Sequence, residues 1–474
     1  MKVKMILPSL TEAKSPFFRP IKYSLFPPLG LATLAAFFDA DDEIDLQDQH
    51  VENLNLNDSP DLVMIQVYIT NAKRAYSIAN HYRAKGVFVV LGGLHVTALP
   101  DEAEKYADTI FIGPAEQTFP VFLKDYKNKC TKKRYFSTHG RTIQDLPPVR
   151  RDLIKRNKYL VPNSLVISRG CPHHCDFCYK DSFYKNGISF YTQRVDEILQ
   201  EISRLKGRHL YFLDDHLFGN PKLARELFEE MKGLNRVFQE AATVKSVLEG
   251  DLIEKAAQAG LRSIFLGFET FSPENLRQSN KFQNLKLNYE LAVKRLHSLG
   301  IMINGSFVFG FDNDDSDVFK RTIDWGIENS ITTATYHILT PYPGTGLYDS
   351  MMNAGRIITN DWDLYDTRHV VFRTMGLSAE ELENGYNQAY NDFYKWNSII
   401  KSSLSHDTFK HMMKHLLYTA GWKKFEPVWK FIINTGGLQK MLPVLEMLLC
   451  EVNHKTERNT AIEKSNLLLN LTDV

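Results

Sequence analysis

The chain is short of cysteine, with five in 474 residues, and has almost no excess of charge, 57 basic against 56 acidic side chains. Five thiols over that length are too few for a disulfide scaffold, so the sequence predicts a reducing, cytoplasmic setting. A near-zero balance removes the basic footprint that a nucleic-acid partner needs, and none is expected; an anionic membrane partner would need local evidence. Long apolar runs are missing too. The longest, residues 29–38, is about half of the ~20 residues a bilayer span requires and contains Gly30 and Thr33. No membrane span is expected, and the apolar part of the N-terminus is too short for a signal peptide. There is no low-complexity tract and no repeat beyond a β/α alternation. What is present, 43% hydrophobic residues, suffices for about three domains of roughly 150 residues each.

Residues 2–7, 62–67, 87–91 and 109–112 are short apolar runs, with helical stretches at 29–38 and 72–85 between them. Unbroken runs suit strands covered on both faces. Residues 1–127 therefore read as a Rossmann-like, doubly wound parallel sheet with its ligand site at the carboxyl ends of the strands. No Gly-x-Gly-x-x-Gly follows the first strand, which argues against NAD or FAD. Residues 128–160, polar and basic and then carrying Pro147 and Pro148, read as a linker.

Residues 161–376 hold six more candidate strands, 164–168, 209–213, 241–244, 263–267, 303–309 and 333–338. Val195, Ile198, Leu199, Ile202 and Leu205 fall on one helical face, and Gly260 and Gly300 look like helix C-caps. Six β/α units fit a partial, TIM-like barrel. After Ser378, which pairs with Glu381 as a capping box, strand signals stop. Residues 377–452 read as a helical extension and 453–474 as a polar, flexible tail. The fold class is α/β.

Cys171, Cys175 and Cys178 form Cys-x3-Cys-x2-Cys directly after an apolar strand, while Cys130 and Cys450 stand alone. Three thiolates on one tight loop can hold three irons of a four-iron cluster and leave the fourth open. The bland alternative is structural zinc with His173 or His174 as the fourth ligand, although no second Cys/His pair lies downstream at suitable spacing.

With Phe177 before the third cysteine, this motif resembles the radical S-adenosylmethionine (SAM) superfamily. The resemblance implies a 4Fe-4S cluster on the three cysteines, SAM chelated at the open iron, and cleavage to a 5′-deoxyadenosyl radical. By the same resemblance Phe177, Asp214, Asp215, Glu269 and Gly310 become SAM-binding candidates, with Gly305 and residues 340–345 beside them. Each has a simpler reading. Adjacent aspartates at a strand end are often a helix cap, an unpaired Glu269 after an apolar run would need partners, and glycines on a strand such as the fifth also serve close backbone packing.

A Rossmann-like domain ahead of such a barrel is similar to the cobalamin-binding subclass of that family. This implies cobalamin, with Asp48, His50, Gly92, Gly93, His95 and Glu116 as candidate contacts. Asp48 and His50 resemble the start of Asp-x-His-x-x-Gly, in which histidine ligates cobalt. However, Asn53 stands where the glycine is expected, and a histidine at a strand end is more often simply hydrogen-bonded.

The resemblance implies a methyltransferase acting on an unactivated carbon, or on phosphorus, of a small-molecule, natural-product or lipid substrate. An external one-electron reductant of flavodoxin or ferredoxin type would supply electrons. Two rivals stay open: a radical SAM cyclase or other hydrogen-abstracting enzyme, and a non-catalytic cobalamin or redox sensor. Tyr386, Tyr390 and Tyr394, at i+4 spacing, read more readily as core than as a substrate box. A second reading has the helical extension cap the open side of the barrel, where a sheet edge would otherwise be exposed.

Overall fold

The computed structural model describes residues 1–11, 26–406, 408–424 and 446. The first sheet holds β1 (Lys2–Leu7), β2 (Glu43–Asp48), β3 (Leu62–Gln66), β4 (Phe88–Gly92), β5 (Thr109–Ile112) and β6 (Arg134–Phe136). All pairs are parallel, in the order β2-β1-β3-β4-β5-β6. The order reverses between β1 and β3, so a ligand crevice belongs at the carboxyl ends there. β2 and β6 add to the four expected strands, and β6 falls inside the stretch read as a linker. Both are edges. β2 is exposed or half-exposed over its first half and β6 is three residues long, so neither shows the apolar run of a covered strand.

The second sheet is also parallel: β7 (Ser164–Leu165), β10 (His209–Phe212), β11 (Val237–Thr243), β12 (Leu261–Glu269), β13 (Met302–Phe309) and β14 (Thr333–Ile338). Its order β14-β13-β12-β11-β10-β7 leaves it open, with β7 and β14 as edges. The run 164–168 is not one strand. It divides into β7 and β8 (Ser168–Gly170), and β8 leaves the barrel to pair antiparallel with β9 (Phe190–Thr192). The cysteine loop therefore hangs from a separate two-stranded ribbon. β11 starts at Val237, ahead of the expected 241, because Gln239 and Glu240 break its apolar pattern although both are buried. The barrel core joins Leu210, Phe212, Phe238 and Leu266 to Ile198 and Ile202 of the helix Val195–Arg204.

An open sheet leaves the outer N–H and C=O groups of β14 without strand partners. The helix Ala379–Phe393, started by the Ser378–Glu381 capping box, covers that edge. The Tyr390 hydroxyl accepts from the Tyr336 N–H at 3.1 Å and donates to its carbonyl at 3.2 Å. Tyr394 does the same at Ala334, at 2.9 and 2.8 Å. The tyrosine stripe thus replaces a missing strand. Two further helices, Trp396–Leu404 and Phe409–Lys424, follow. Residues 425–445 and 447–452 of the expected helical extension, Cys450 among them, and the expected tail at 453–474 lie outside the described residues.

Candidate functional site

The ribbon ends at Gly170, with φ +77°, where an added Cβ would lie 1.9 Å from the Ser189 carbonyl oxygen. Only glycine fits that turn into Cys171. The loop is then pinned from several sides. Cys178 N–H donates to the Cys175 carbonyl at 3.0 Å, and Asp176 N–H donates to the Ser279 carbonyl at 3.1 Å. Asn280 Nδ2 reaches Asp176 Oδ1 at 2.6 Å. Burial pushes the Cys171 thiol up to about 11 and the Cys178 thiol to about 12, and raises Cys175 as well. Metal loading at this loop must therefore displace protons. Among the described residues no group of three His, Cys, Asp or Glu side chains is gathered closely enough to hold a metal ion. His174 instead faces Asp181 at 3.1 Å. Three thiols on one pinned loop suit a multi-iron cluster.

Asp214 and Asp215 turn toward this loop. Asp214 Oδ1 accepts the Ile167 N–H at 2.9 Å and also the Ser168 N–H. Asp215 accepts the Gly170 N–H at 3.1 Å and the Tyr179 hydroxyl at 2.7 Å. One carboxyl thus holds the entry to the ribbon, and the other ties its end to the residue after Cys178. Burial raises Asp214 to about 7. Its Oδ2 has no partner, nor does either carboxyl oxygen of Glu240, a fully buried residue on β11. Burial, with Asp214 nearby, holds Glu240 well above the usual carboxylate range.

Glu269 ends β12 at φ +62°, where the register with β13 shifts. Its partner is Lys281, a residue the sequence patterns did not single out; both are nearly buried and form an ion pair. Burial opposes the Lys281 charge, but the Glu269 carboxylate and the Cys175 thiol outweigh it and leave its pKa raised. Lys281 Nζ also lies 5.9 Å from the centre of the Phe177 ring. Two residues on, Gln283 Nε2 donates to Cys175 Sγ at 3.3 Å. Neither signal was available from spacing, because Lys281 lies in the turn after a short helix and Gln283 in the three-residue 3-10 helix Phe282–Asn284 that follows. Gly310, at φ +99°, faces elsewhere: a Cβ there would lie 2.7 Å from Leu382 Cδ2. Its N–H goes to Asp314 at 2.8 Å. The structure thus packs Gly310 against the C-terminal helix.

The carboxyl ends of β3, β4 and β5 face the cysteine loop and its short helix Lys180–Phe183. A cavity of about 360 Å³ lies between them, lined in part by Tyr68, His95, Tyr179, Phe183, Tyr342 and Tyr365. A smaller one of about 120 Å³, with Gly30, Gly92, Gly93, Gly113, Glu116 and Arg169, shares Phe183 with it. A larger cavity, about 530 Å³, lies between residues 143–151 and the helix Val195–Arg204 and approaches this region at Leu29, Thr33 and Arg169. Glu116 accepts from Arg169 at 2.9 Å, joining the first sheet to the ribbon.

His95 is 2% exposed and lines the cavity. Its Nε2 meets Glu102 at 3.0 Å, and Glu102 also accepts from Tyr76 and from Trp362. The other nitrogen, Nδ1, is buried without a partner. An oriented imidazole with one orphaned nitrogen, on a cavity that adjoins a glycine-lined one at Phe183, fits a large planar ligand such as a corrin. His50 does not fit that role here. Its Nδ1 meets Asp48 at 2.8 Å and its Nε2 accepts the Leu10 N–H at 3.1 Å, while Asp48 also accepts from Tyr159 at 2.9 Å. Both ring nitrogens are used within the fold, so this pair stabilises a loop. Gly93, at φ +121°, sits against Val67, whose carbonyl oxygen an added Cβ would approach to 2.7 Å.

The block 361–366 closes the crevice from the barrel side. Asp361 pairs with Lys73 at 2.6 Å, Asp363 accepts from Thr11 at 2.9 Å, and Tyr365 and Asp366 line the cavity.

Comparison with known proteins agrees with this geometry. Residues 165–326 match the model of the Radical SAM superfamily, and residues 23–123 match that of the B12 binding domain. The bacteriochlorophyllide d C-12(1)-methyltransferase of Chlorobaculum tepidum is 30% identical over 353 residues, 72% of this chain and 76% of that protein. The hopanoid C-3 methylase of Methylococcus capsulatus is 26% identical over 91% of this chain and 87% of its own. Among solved structures, the radical SAM methyltransferase TsrM from Kitasatospora setae superposes with a TM-score of 0.65 at 14% identity, covering 91% of this chain and 99% of that one.

Proposed function

The chain belongs to the radical SAM superfamily, in its subclass with a B12-binding domain, and from that premise we propose how this cobalamin-dependent methyltransferase is built and what it methylates. Its cofactors are a 4Fe-4S cluster, SAM and cobalamin. When bound, the cluster supplies the electron that cleaves SAM, and cobalamin carries the methyl group.

The residues divide that work. Cys171, Cys175 and Cys178 hold the cluster. Asp214 and Asp215 fix the loop that carries them by accepting its backbone N–H groups. The Glu269–Lys281 pair places a cation beside the thiolates, and Phe177 lies against that cation. His95, oriented by Glu102 and with Nδ1 buried and unpaired, belongs to the lining of the larger cavity, while Gly92, Gly93, Glu116 and Arg169 line the smaller one. The observation that carries the reading is a pair of adjoining cavities that share Phe183: the larger lies between Tyr68, Thr70 and His95 of the first domain and the helix directly after Cys178, and the smaller is lined by the glycines at the carboxyl end of the first sheet. A methyl donor and a radical source set on opposite walls of such a space can act on the same substrate carbon.

The lining between those walls is Tyr68, Tyr342 and Tyr365, with Thr70 and Asp366 as polar points. That chemistry favours an apolar, ring-rich small molecule with one polar end. The bacteriochlorophyllide and hopanoid enzymes act on molecules of this kind, which supports the same class here. The electron donor is a flavodoxin- or ferredoxin-type protein. No helix among the described residues is long and apolar enough to cross a membrane, in keeping with a cytoplasmic enzyme.

The test is anaerobic reconstitution with iron, sulfide and cobalamin, followed by absorption spectra and a SAM-cleavage assay. Wild type is expected to bind both cofactors and form 5′-deoxyadenosine. Cys171→Ala, Cys175→Ala and Cys178→Ala should each abolish cleavage while keeping cobalamin, and Cys130→Ala should change neither. A chain that cleaves no SAM with cluster and reductant present would be a sensor, and the proposal would fail.

A further inference from the structure

The helix Trp396–Leu404 is turned inside out. It buries Ser398, Ser402 and Ser403 together with Ile399, while Trp396, Ile400 and Leu404, at i, i+4 and i+8, face solvent at 51%, 45% and 64% exposure. The buried hydroxyls are satisfied: Ser398 donates to the Asp392 carbonyl at 2.7 Å, Ser403 to that of Ile399 at 2.7 Å, and Ser402 meets His415 at 3.3 Å. The inward face is thus settled, and the outward apolar stripe is not left over from a core position.

The next helix, Phe409–Lys424, packs against it through that Ser402–His415 contact and repeats the pattern. Phe409 is 74% exposed and Leu417 50%, again at i and i+8, with Met413 between them only partly covered. Two adjacent helices that both direct apolar stripes to water form an exposed patch that a free surface does not ordinarily keep.

Charge names the occupant. Residues 395–424 contain six lysines, Lys395, Lys401, Lys410, Lys414, Lys423 and Lys424, against one acidic residue, Asp407. The whole chain is balanced to +1, so this hairpin is a local basic island on a slightly acidic remainder. Lys424 lies over the Trp396 ring at 5.3 Å, at the margin of the apolar stripe. Apolar side chains including an exposed tryptophan, bordered by the exposed Lys401 and Lys410, are what an anionic bilayer surface receives.

We propose that the helical hairpin 396–424 docks this enzyme peripherally on anionic lipid membranes, with Trp396, Ile400, Leu404 and Phe409 entering the interface and the lysines meeting the headgroups. The inference stands apart from the methyl-transfer reading, because none of these residues lines the cofactor crevice.

The test is co-sedimentation of the full chain with vesicles of phosphatidylcholine alone and of phosphatidylcholine mixed with phosphatidylglycerol, alongside sedimentation velocity without lipid. Binding is expected only to the mixed vesicles, and it should weaken as salt rises. Ile400→Glu with Leu404→Glu should lower partitioning at least about tenfold. Lys401→Gln with Lys410→Gln, which leaves the apolar stripe and the fold intact, should lower it by roughly tenfold or more. Wild type inert toward both vesicles would overturn the proposal. So would equal partitioning of all variants, or a dimer that the Glu variants dissolve, which would assign the patch to a second copy. Vesicle binding gained only on removing residues after 424 would assign it to the chain's own C-terminal segment and would overturn the proposal equally.

Discussion

Gln283 was invisible to motif reading, yet it touches the sulfur of the middle cysteine. An N–H donor stabilises charge on a cluster thiolate, more so in the reduced state, so it should hold the potential up. Gln283→Leu is expected to lower the cluster midpoint by roughly 20–60 mV, the equivalent of about 0.5–1.4 kcal/mol for one electron. A potentiometric titration followed by electron paramagnetic resonance checks this; an unchanged midpoint would leave Gln283 a packing residue. Asp214 makes a second prediction. Its folded value of about 7 stands above the ordinary 3.8, so the folded state binds more protons than the unfolded chain between those values. The stability this group contributes is complete below about pH 4 and is lost as pH rises through about 7. Asp214→Asn keeps an acceptor for the Ile167 and Ser168 N–H groups but cannot ionise. Its melting temperature should exceed that of wild type at pH 8, and the gap should close toward pH 5.

At the scale of elements, the two edges of the barrel sheet show what sequence patterns can and cannot carry. The apolar runs of β3, β4, β12, β13 and β14 were legible because those strands are covered on both faces. β2 and β6 were not, because edge strands carry exposed, charged residues. Glu240 hid the start of β11 for a different reason: a fully buried carboxyl breaks the apolar pattern that marks a covered strand. The cysteine spacing located the site, while its supports, Lys281, Gln283 and the Glu102–His95 pair, depend on contacts between distant segments. The tyrosine stripe was rightly expected to be structural, but its hydroxyls close the β14 edge, a role that i+4 spacing alone could not specify. Tyr390→Phe removes one partner from both the N–H and the C=O of Tyr336. The expected cost is about 1–3 kcal/mol. It should appear as a lower melting temperature and faster amide exchange at Tyr336, with reconstituted cofactor content unchanged.

For the whole molecule, the arrangement of domains explains the chemistry better than any single residue. The first sheet offers its carboxyl end, the open barrel offers its cysteine ribbon, and Arg169–Glu116, Lys73–Asp361 and Trp362–Glu102 hold the two together beside two adjoining cavities. A redox sensor would not need a substrate-sized space between them. A radical enzyme that only abstracts hydrogen would not need the glycine-lined wall. The most direct test supplies the anaerobically reconstituted enzyme with SAM labelled in its methyl group, a reductant and an apolar polycyclic substrate, and follows both SAM-derived products in the same turnover. The account predicts 5′-deoxyadenosine and S-adenosylhomocysteine formed together, with the label in the product. Deoxyadenosine accompanying substrate conversion, without S-adenosylhomocysteine and without label in the product, would contradict it.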